Sequence, residues 1–83
     1  MAQRVTQRVT QRDILEKAML AIEEATGLNT ESMRTSLHHA APEIVPRMWF
    51  RLRDFCIAHC SDDDTVAKIY RNALTSWQNH HLP

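Results

Sequence analysis

The sequence has only one glycine and three prolines among its 83 residues. β-Hairpin turns need glycine or asparagine every few residues, so this scarcity disfavours a hairpin-rich β fold. No apolar run approaches the roughly 18 residues that cross a bilayer, and the first residues lack the apolar core of a secretory signal. Two cysteines do not make a disulfide scaffold. We therefore expect a cytoplasmic protein without a membrane partner.

The sequence also lacks an excess of charge and any motif of catalytic residues. Ten basic and ten acidic residues cancel, so no global field points to nucleic acid or to a membrane surface. There is no glycine-rich phosphate loop, paired-carboxylate motif or hydroxyl nucleophile motif, and a domain of this size leaves little room for a substrate cavity. We therefore expect no enzymatic activity, no cofactor and no small-molecule substrate.

Apolar residues recur at intervals of three and four over four segments, which is the pattern of amphipathic helices. Thr10 and Asp13 form a capping box before the first helix, and Gly27 suits a left-handed position after its end. Pro42 closes the second helix. Ser61, followed by three aspartates, is expected to cap the fourth. The sequence predicts an all-α, single-domain bundle of four helices over 10–26, 29–41, 47–60 and from 61 onward.

A short repeat of Gln-Arg-Val-Thr opens the chain and places arginines at positions 4, 8 and 12. Valine and threonine are mediocre helix formers, so this segment is either a helical extension or a disordered one. We predict a basic N-terminal arm over residues 1–9 and a helical domain over residues 10–83.

All five aromatic residues lie in the second half of the chain. A small bundle struggles to enclose them together with its other large apolar residues, so some of them are expected to form an exposed contact patch. The favoured function is a small non-enzymatic regulatory or adaptor protein that binds another protein, or a second copy of itself, through an amphipathic helical surface. The predicted contact residues are Trp49, Phe50, Arg51, Arg53, Tyr70 and Trp77.

Residues 22–37 resemble the helix-turn-helix pattern of DNA-binding proteins, in which a turn glycine and apolar positions recur at fixed offsets. The matching positions are Ile22, Gly27, Leu28, Met33 and Leu37. Glu23 departs from the pattern, which has a small residue there, and Glu31 adds acid to the reading helix. The resemblance implies an alternative function as a DNA-binding regulator. Its DNA-binding residues would be Arg4, Arg8, Arg12, Asn29, Thr30, Arg34 and His38.

Two cysteines and a histidine near the end of the third helix share one face, because residues three and four apart are neighbours on a helix. Cys56, His59 and Cys60 could offer two sulfurs and one nitrogen to a metal ion, but a structural zinc site usually needs four ligands. A disulfide between these cysteines is disfavoured by their spacing. We expect no bound metal and Cys56 as a small core residue.

Overall fold

The computed structural model describes residues 10–60 and 62–81, and all regular secondary structure within these ranges is helical. The elements are α1 (Gln11–Thr26), α2 (Glu31–His39), a 3₁₀ turn (Val45–Arg47), α3 (Met48–Cys60) and α4 (Asp64–His81). The prediction of an all-α domain of four helices is confirmed. Within the same ranges, no helix combines the length and apolar character needed to cross a membrane. The predicted basic arm, residues 1–9, lies outside the described residues.

The first helix begins and ends as its sequence predicts. Thr10 Oγ1 accepts a hydrogen bond from the Asp13 backbone N–H, and Asp13 Oδ2 accepts one from the Thr10 N–H, both at 3.1 Å. Gly27 adopts φ 78°, a left-handed conformation that favours glycine, and its N–H donates to the Glu23 carbonyl at 2.8 Å. The predicted capping box and helix end are thus confirmed.

The fourth helix begins later than Ser61 would place it. Asp63, and not Ser61, is the N-cap: its Oδ1 accepts hydrogen bonds from the backbone N–H groups of Thr65 (2.9 Å) and Val66 (3.2 Å). Ser61 itself lies outside the described residues. Aspartate is as good a cap as serine, so a run of three aspartates after a serine offers several possible starts. The chain uses Asp63, the second of the three aspartates.

The second and third helices are also slightly shorter than predicted. α2 begins at Glu31, whose N–H donates to Asn29 Oδ1 at 2.8 Å, and it ends at His39 rather than Ala41. α3 begins at Met48, because the preceding 3₁₀ turn takes up Arg47 together with Pro46. The connector between α2 and α3 therefore contains one short turn of helix, as its two prolines suggest.

α1 is the central element of the bundle, since it contacts α2, α3, α4 and the 3₁₀ turn. Its residues Leu15, Met19 and Ile22 are completely buried. The sequence of α3 is apolar around most of its circumference, which predicts α3 as the central helix instead. That prediction is wrong, because α3 buries one side only, through Met48, Trp49 and Leu52, and exposes apolar residues on the other. The predicted apolar stripe of α4 does pack on the core.

Candidate partner-binding surface

Three aromatic residues of the predicted contact surface form a cluster inside the bundle. The Trp49 ring lies 6.0 Å from the Tyr70 ring, in an edge-to-face arrangement, and 5.8 Å from the Trp77 ring. Trp49 is only 5% exposed, while Tyr70 and Trp77 are partly buried against the core. Trp49 is therefore a core residue. Its burial corrects the expectation that it lies on an exposed partner-binding surface.

The two indoles share a hydrogen-bond acceptor at the start of α1. Gln11, with its side-chain amide oriented to satisfy both donors, accepts from Trp49 Nε1 at 3.1 Å and from Trp77 Nε1 at 2.6 Å. A buried indole N–H needs such an acceptor, because leaving it unpaired costs free energy. Gln11 thus ties α3 and α4 to the first turn of α1. Sequence reasoning missed this role of Gln11, which depends on contacts between distant parts of the chain.

The opposite side of α3 carries apolar residues that the core does not use. Phe50 is 58% exposed and Ile57 is 61% exposed. They stand seven residues apart, which places them on the same side of the helix, about 10 Å from each other and about 200° around the axis from buried Leu52. Arg53 and Asp54, both exposed, lie between them. We call this set of four residues, Phe50, Arg53, Asp54 and Ile57, the α3 face.

The charged residues of the α3 face contact both each other and its aromatic ring. The Arg53 guanidinium carbon lies 5.2 Å from the centre of the Phe50 ring, and Arg53 Nη2 lies 3.7 Å from Asp54 Oδ1. Arg51 is exposed beside them. The predicted contact residues Phe50, Arg51 and Arg53 therefore lie together on the surface. Asp54 and Ile57 were missed, although their spacings of four and seven residues from Phe50 could have identified them.

A groove of about 200 Å³ between α3 and α4 borders the α3 face. Arg53 and Ile57 line one of its walls, and Tyr70 lines the other. Partial burial raises the pKa of the Tyr70 phenol, and the nearby positive charge of Arg53 opposes this rise. Tyr70 thus belongs to the internal aromatic cluster and also lines the groove at the edge of the exposed surface. Trp77 belongs to the cluster and does not line this groove.

The cysteines near the end of α3 are free thiols on its half-buried side. Burial raises the pKa of Cys56 to about 11, with the neighbouring Cys60 adding to the rise, and burial also raises the pKa of Cys60. Both thiols are therefore protonated at neutral pH, which is the unreactive form. The His59 ring packs on Phe55 at 4.9 Å. Across the described ranges, no three side chains of His, Cys, Asp or Glu are arranged to hold a metal ion.

One member of the predicted DNA-binding set, Arg12, binds the end of α2. Its Nη1 donates to the carbonyls of Leu37 (2.9 Å) and His38 (3.0 Å), and its Nη2 donates to that of Ala40 (2.9 Å). The Leu37 carbonyl also accepts a hydrogen bond from the Ala40 N–H at 3.3 Å. A cation is favoured at this negative end of the helix. Arg12 therefore caps α2 from outside, and its guanidinium is occupied by the protein itself.

The other described members of that set also have intramolecular partners. Glu23 Oε1 accepts hydrogen bonds from the N–H and Oγ1 of Thr30 and from Arg34 Nη2, at 2.8 to 3.0 Å. Thr30 is only 1% exposed, and its Oγ1 also accepts a hydrogen bond from Arg34 Nε at 3.0 Å. His38 Nε2 lies 3.0 Å from a Glu16 carboxylate oxygen. Asn29 Oδ1 accepts a hydrogen bond from the Glu31 N–H at the start of α2, although the N-cap of that helix is Thr30. Arg4 and Arg8 lie outside the described residues.

Glu23 thus has a structural role, although the helix-turn-helix pattern has a small residue at this position. It joins α1 to the first turn of α2, and its accepted hydrogen bonds lower the pKa of its carboxyl group.

No family model, curated protein or solved structure matched this chain.

Proposed function

We propose that this protein is a small, non-enzymatic regulatory or adaptor protein that binds a protein partner through the α3 face. The observation that carries the proposal is the exposure of Phe50 and Ile57, two turns apart on the side of α3 that faces away from the core. Single exposed apolar residues are ordinary, but an apolar pair within a rim of charged groups is typical of protein-binding surfaces. Aromatic and arginine side chains, here Phe50 and Arg53, are also enriched in such interfaces.

The placement of the two residues on one rigid element supports the same conclusion. α3 is fixed on the bundle by Met48, Trp49 and Leu52, so the α3 face is held in one orientation. A surface that is already ordered loses less conformational entropy on binding than a mobile segment does. The groove lined by Tyr70 extends this surface toward α4.

The alternative, a DNA-binding regulator, has less support from the described residues. Arg12 and Arg34 direct their guanidinium groups to internal acceptors, and Thr30 is buried. A phosphate contact by either arginine would have to replace these bonds, and a base contact by Thr30 would require α2 to move away from α1.

A photoreactive amino acid at position 50 tests the proposal in the cells that make this protein. We expect cross-linked products that protease digests and nuclease leaves intact, and we expect them to be lost when Ile57→Ala is added. The matched control places the same photoreactive group at Lys68, an exposed position on α4. Nuclease-sensitive products would instead favour the DNA-binding alternative. Equal products from both positions, or none from position 50, would contradict a specific protein-binding surface on α3.

A further inference from the structure

We infer that Cys56 and Cys60 form a binding site for one soft, monovalent metal ion, of which copper(I) is the biological example. Neither cysteine belongs to the α3 face, so this site is separate from the surface that carries the proposed function. Thiolate sulfurs select soft ions, and copper(I), with its filled d shell, binds two of them in a line. The chain has two cysteines, and they stand one helical turn apart at the end of α3.

The spacing of the two cysteines suits a bridging metal ion and not a disulfide. Residues four apart on a helix have Cβ atoms about 5–6 Å apart, whereas a disulfide needs about 3.8 Å. A metal–thiolate bond is about 2.3 Å long, so two sulfurs on opposite sides of one ion are about 4.6 Å apart. With ordinary bond angles at the sulfurs, the Cβ atoms then lie about 5.5 Å apart, which is within the helical spacing.

The two thiols also face each other and share an opening to solvent. A side-chain hydrogen bond between Cys56 and Cys60 contributes to the pKa of each thiol. Both side chains are half-buried and line the groove of about 200 Å³ between α3 and α4. An ion therefore reaches both sulfurs through this groove, with little rearrangement of the side chains.

The ion replaces one proton on each sulfur. One copper(I) ion and two thiols give a bis-thiolate complex with a single negative charge, and two protons leave for solvent. Arg53 and Asp63 line the same groove and act on this charge in opposite directions. Burial raises the pKa of Cys60, and the carboxylate of Asp63 adds to the rise because a negative charge disfavours the thiolate. Loss of the Asp63 charge should therefore strengthen metal binding.

The described residues do not supply the further ligands that zinc requires. A structural zinc site takes four ligands in a tetrahedron. Within 10–60 and 62–81, no third side chain of His, Cys, Asp or Glu joins the two thiols in a metal-binding arrangement. His59, next to Cys60 in sequence, packs its ring on Phe55 at 4.9 Å and does not line the groove. The expectation of no bound metal follows from the four ligands of zinc, so it does not extend to an ion that two sulfurs satisfy.

Anaerobic titration of the reduced protein with copper(I), in competition with a chromogenic copper(I) chelator, tests this site. We expect one tightly bound ion per chain, two sulfur neighbours in its X-ray absorption spectrum, and two protons released for each ion bound. Zinc is expected to bind far more weakly, because only two of its four ligand positions would be filled by the protein.

Variants of α3 test the placement of the sulfurs. Cys56→Ser and Cys60→Ser each remove one ligand and are expected to abolish tight binding of one ion per chain. The matched control combines Cys60→Ser with Ala58→Cys, at an exposed position. It keeps two thiols in each chain but places them two residues apart, where helical side chains do not face each other, and it is also expected to lose the site. Circular dichroism shows that each variant is folded before it is compared.

A charge variant tests the role of the groove. Asp63→Asn is expected to tighten binding by about two- to fivefold, since it removes the opposing charge while asparagine still caps α4. Asp62→Asn is the matched control, because Asp62 is exposed and does not line the groove. Its effect on the affinity should be smaller.

A parent protein that fails to compete with the chelator would overturn the copper(I) site. So would one ion shared by two chains, or equally tight binding by the variant with thiols at positions 56 and 58, because any two thiols would then serve. Equal effects of Asp62→Asn and Asp63→Asn would contradict binding in the groove. Cross-linking from position 50 depends on neither thiol, so the metal site and the proposed function can fail independently.

Discussion

Glu23 shows how a single residue connects two helices in this protein. One carboxylate oxygen accepts three hydrogen bonds, two from Thr30 and one from Arg34. All three bonds favour the charged form, first among them the bond from the Thr30 backbone, and the positive charge of Arg34 acts in the same direction. The pKa of Glu23 is therefore lower in the folded chain than in the unfolded one. Folding stability must then depend on the protonation of this residue.

We predict that protonation of Glu23 weakens the fold in acid. Because the pKa is lowered by folding, the stabilisation is fully present above the ordinary value near 4.5 and is lost as pH falls through the lower folded value. Glu23→Gln removes the charge in both states and should flatten the pH dependence of the free energy of unfolding below about pH 5. Urea titrations at a series of pH values measure it.

Glu24→Gln is the matched control for this experiment. Glu24 is the next residue on α1 and is exposed. If Glu24→Gln flattened the acid limb as much as Glu23→Gln does, the hydrogen bonds from Thr30 and Arg34 would not be its cause.

At the scale of the helices, the start of α4 depends on one side chain. Asp63 Oδ1 accepts hydrogen bonds from two backbone N–H groups of the first turn, those of Thr65 and Val66. Without this acceptor, two donors at the positive end of the helix would have to find water instead. Asp63 therefore fixes where the longest described helix begins.

We predict that Asp63→Ala destabilises the folded chain by about 1 kcal/mol, the usual cost of removing an N-cap. Asp62→Ala, one residue earlier at an exposed position, is expected to change the free energy of unfolding by less than about 0.5 kcal/mol. Urea unfolding followed by circular dichroism measures both. A larger loss from Asp62→Ala than from Asp63→Ala would show that the cap lies elsewhere.

The helices could be predicted from the sequence because their signals are local. Thr10, Asp13 and Gly27 act within one or two turns of their own positions, so spacing alone identifies them. The start of α4 was misplaced because four consecutive residues can all serve as caps. The bonds of Arg12 to α2 cross 25 to 28 residues of chain, and no local pattern reports such contacts.

The contact surface was predictable only in part, for a related reason. Trp49 and Phe50 are adjacent large aromatics, and which of them faces the core is decided by the rotation of α3 about its own axis. That rotation is set by packing against α1 and α4, with Gln11 bonding the Trp49 indole. Once Trp49 is known to face inward, Phe50 and Ile57 follow as exposed residues from helical geometry.

At the scale of the whole molecule, α1 is the centre of the hydrophobic core because every other element packs on it. We predict that Leu15→Ala, at a completely buried position, costs about 2–5 kcal/mol. Domains of this size have a total stability near the lower end of about 5–15 kcal/mol, so the variant should be largely unfolded at body temperature.

Leu20→Ala makes the same chemical change on the same helix at an exposed position and should shift stability by less than about 0.5 kcal/mol. Thermal melts followed by circular dichroism compare the two variants. Similar melting temperatures for both would mean that α1 does not occupy the centre of the fold.

The bonds of Arg12 also have a consequence for the order in which the molecule opens. α2 has nine residues, fewer than the about 12–15 that an isolated helix needs in water, so it persists only while α1 holds it. Arg12 stands in the first turn of α1, yet it holds the last turn of α2. Fraying of that first turn therefore releases a helix end far along the chain. In hydrogen exchange, the amides of the last turn of α2 should lose protection together with the opening of α1, as one cooperative unit.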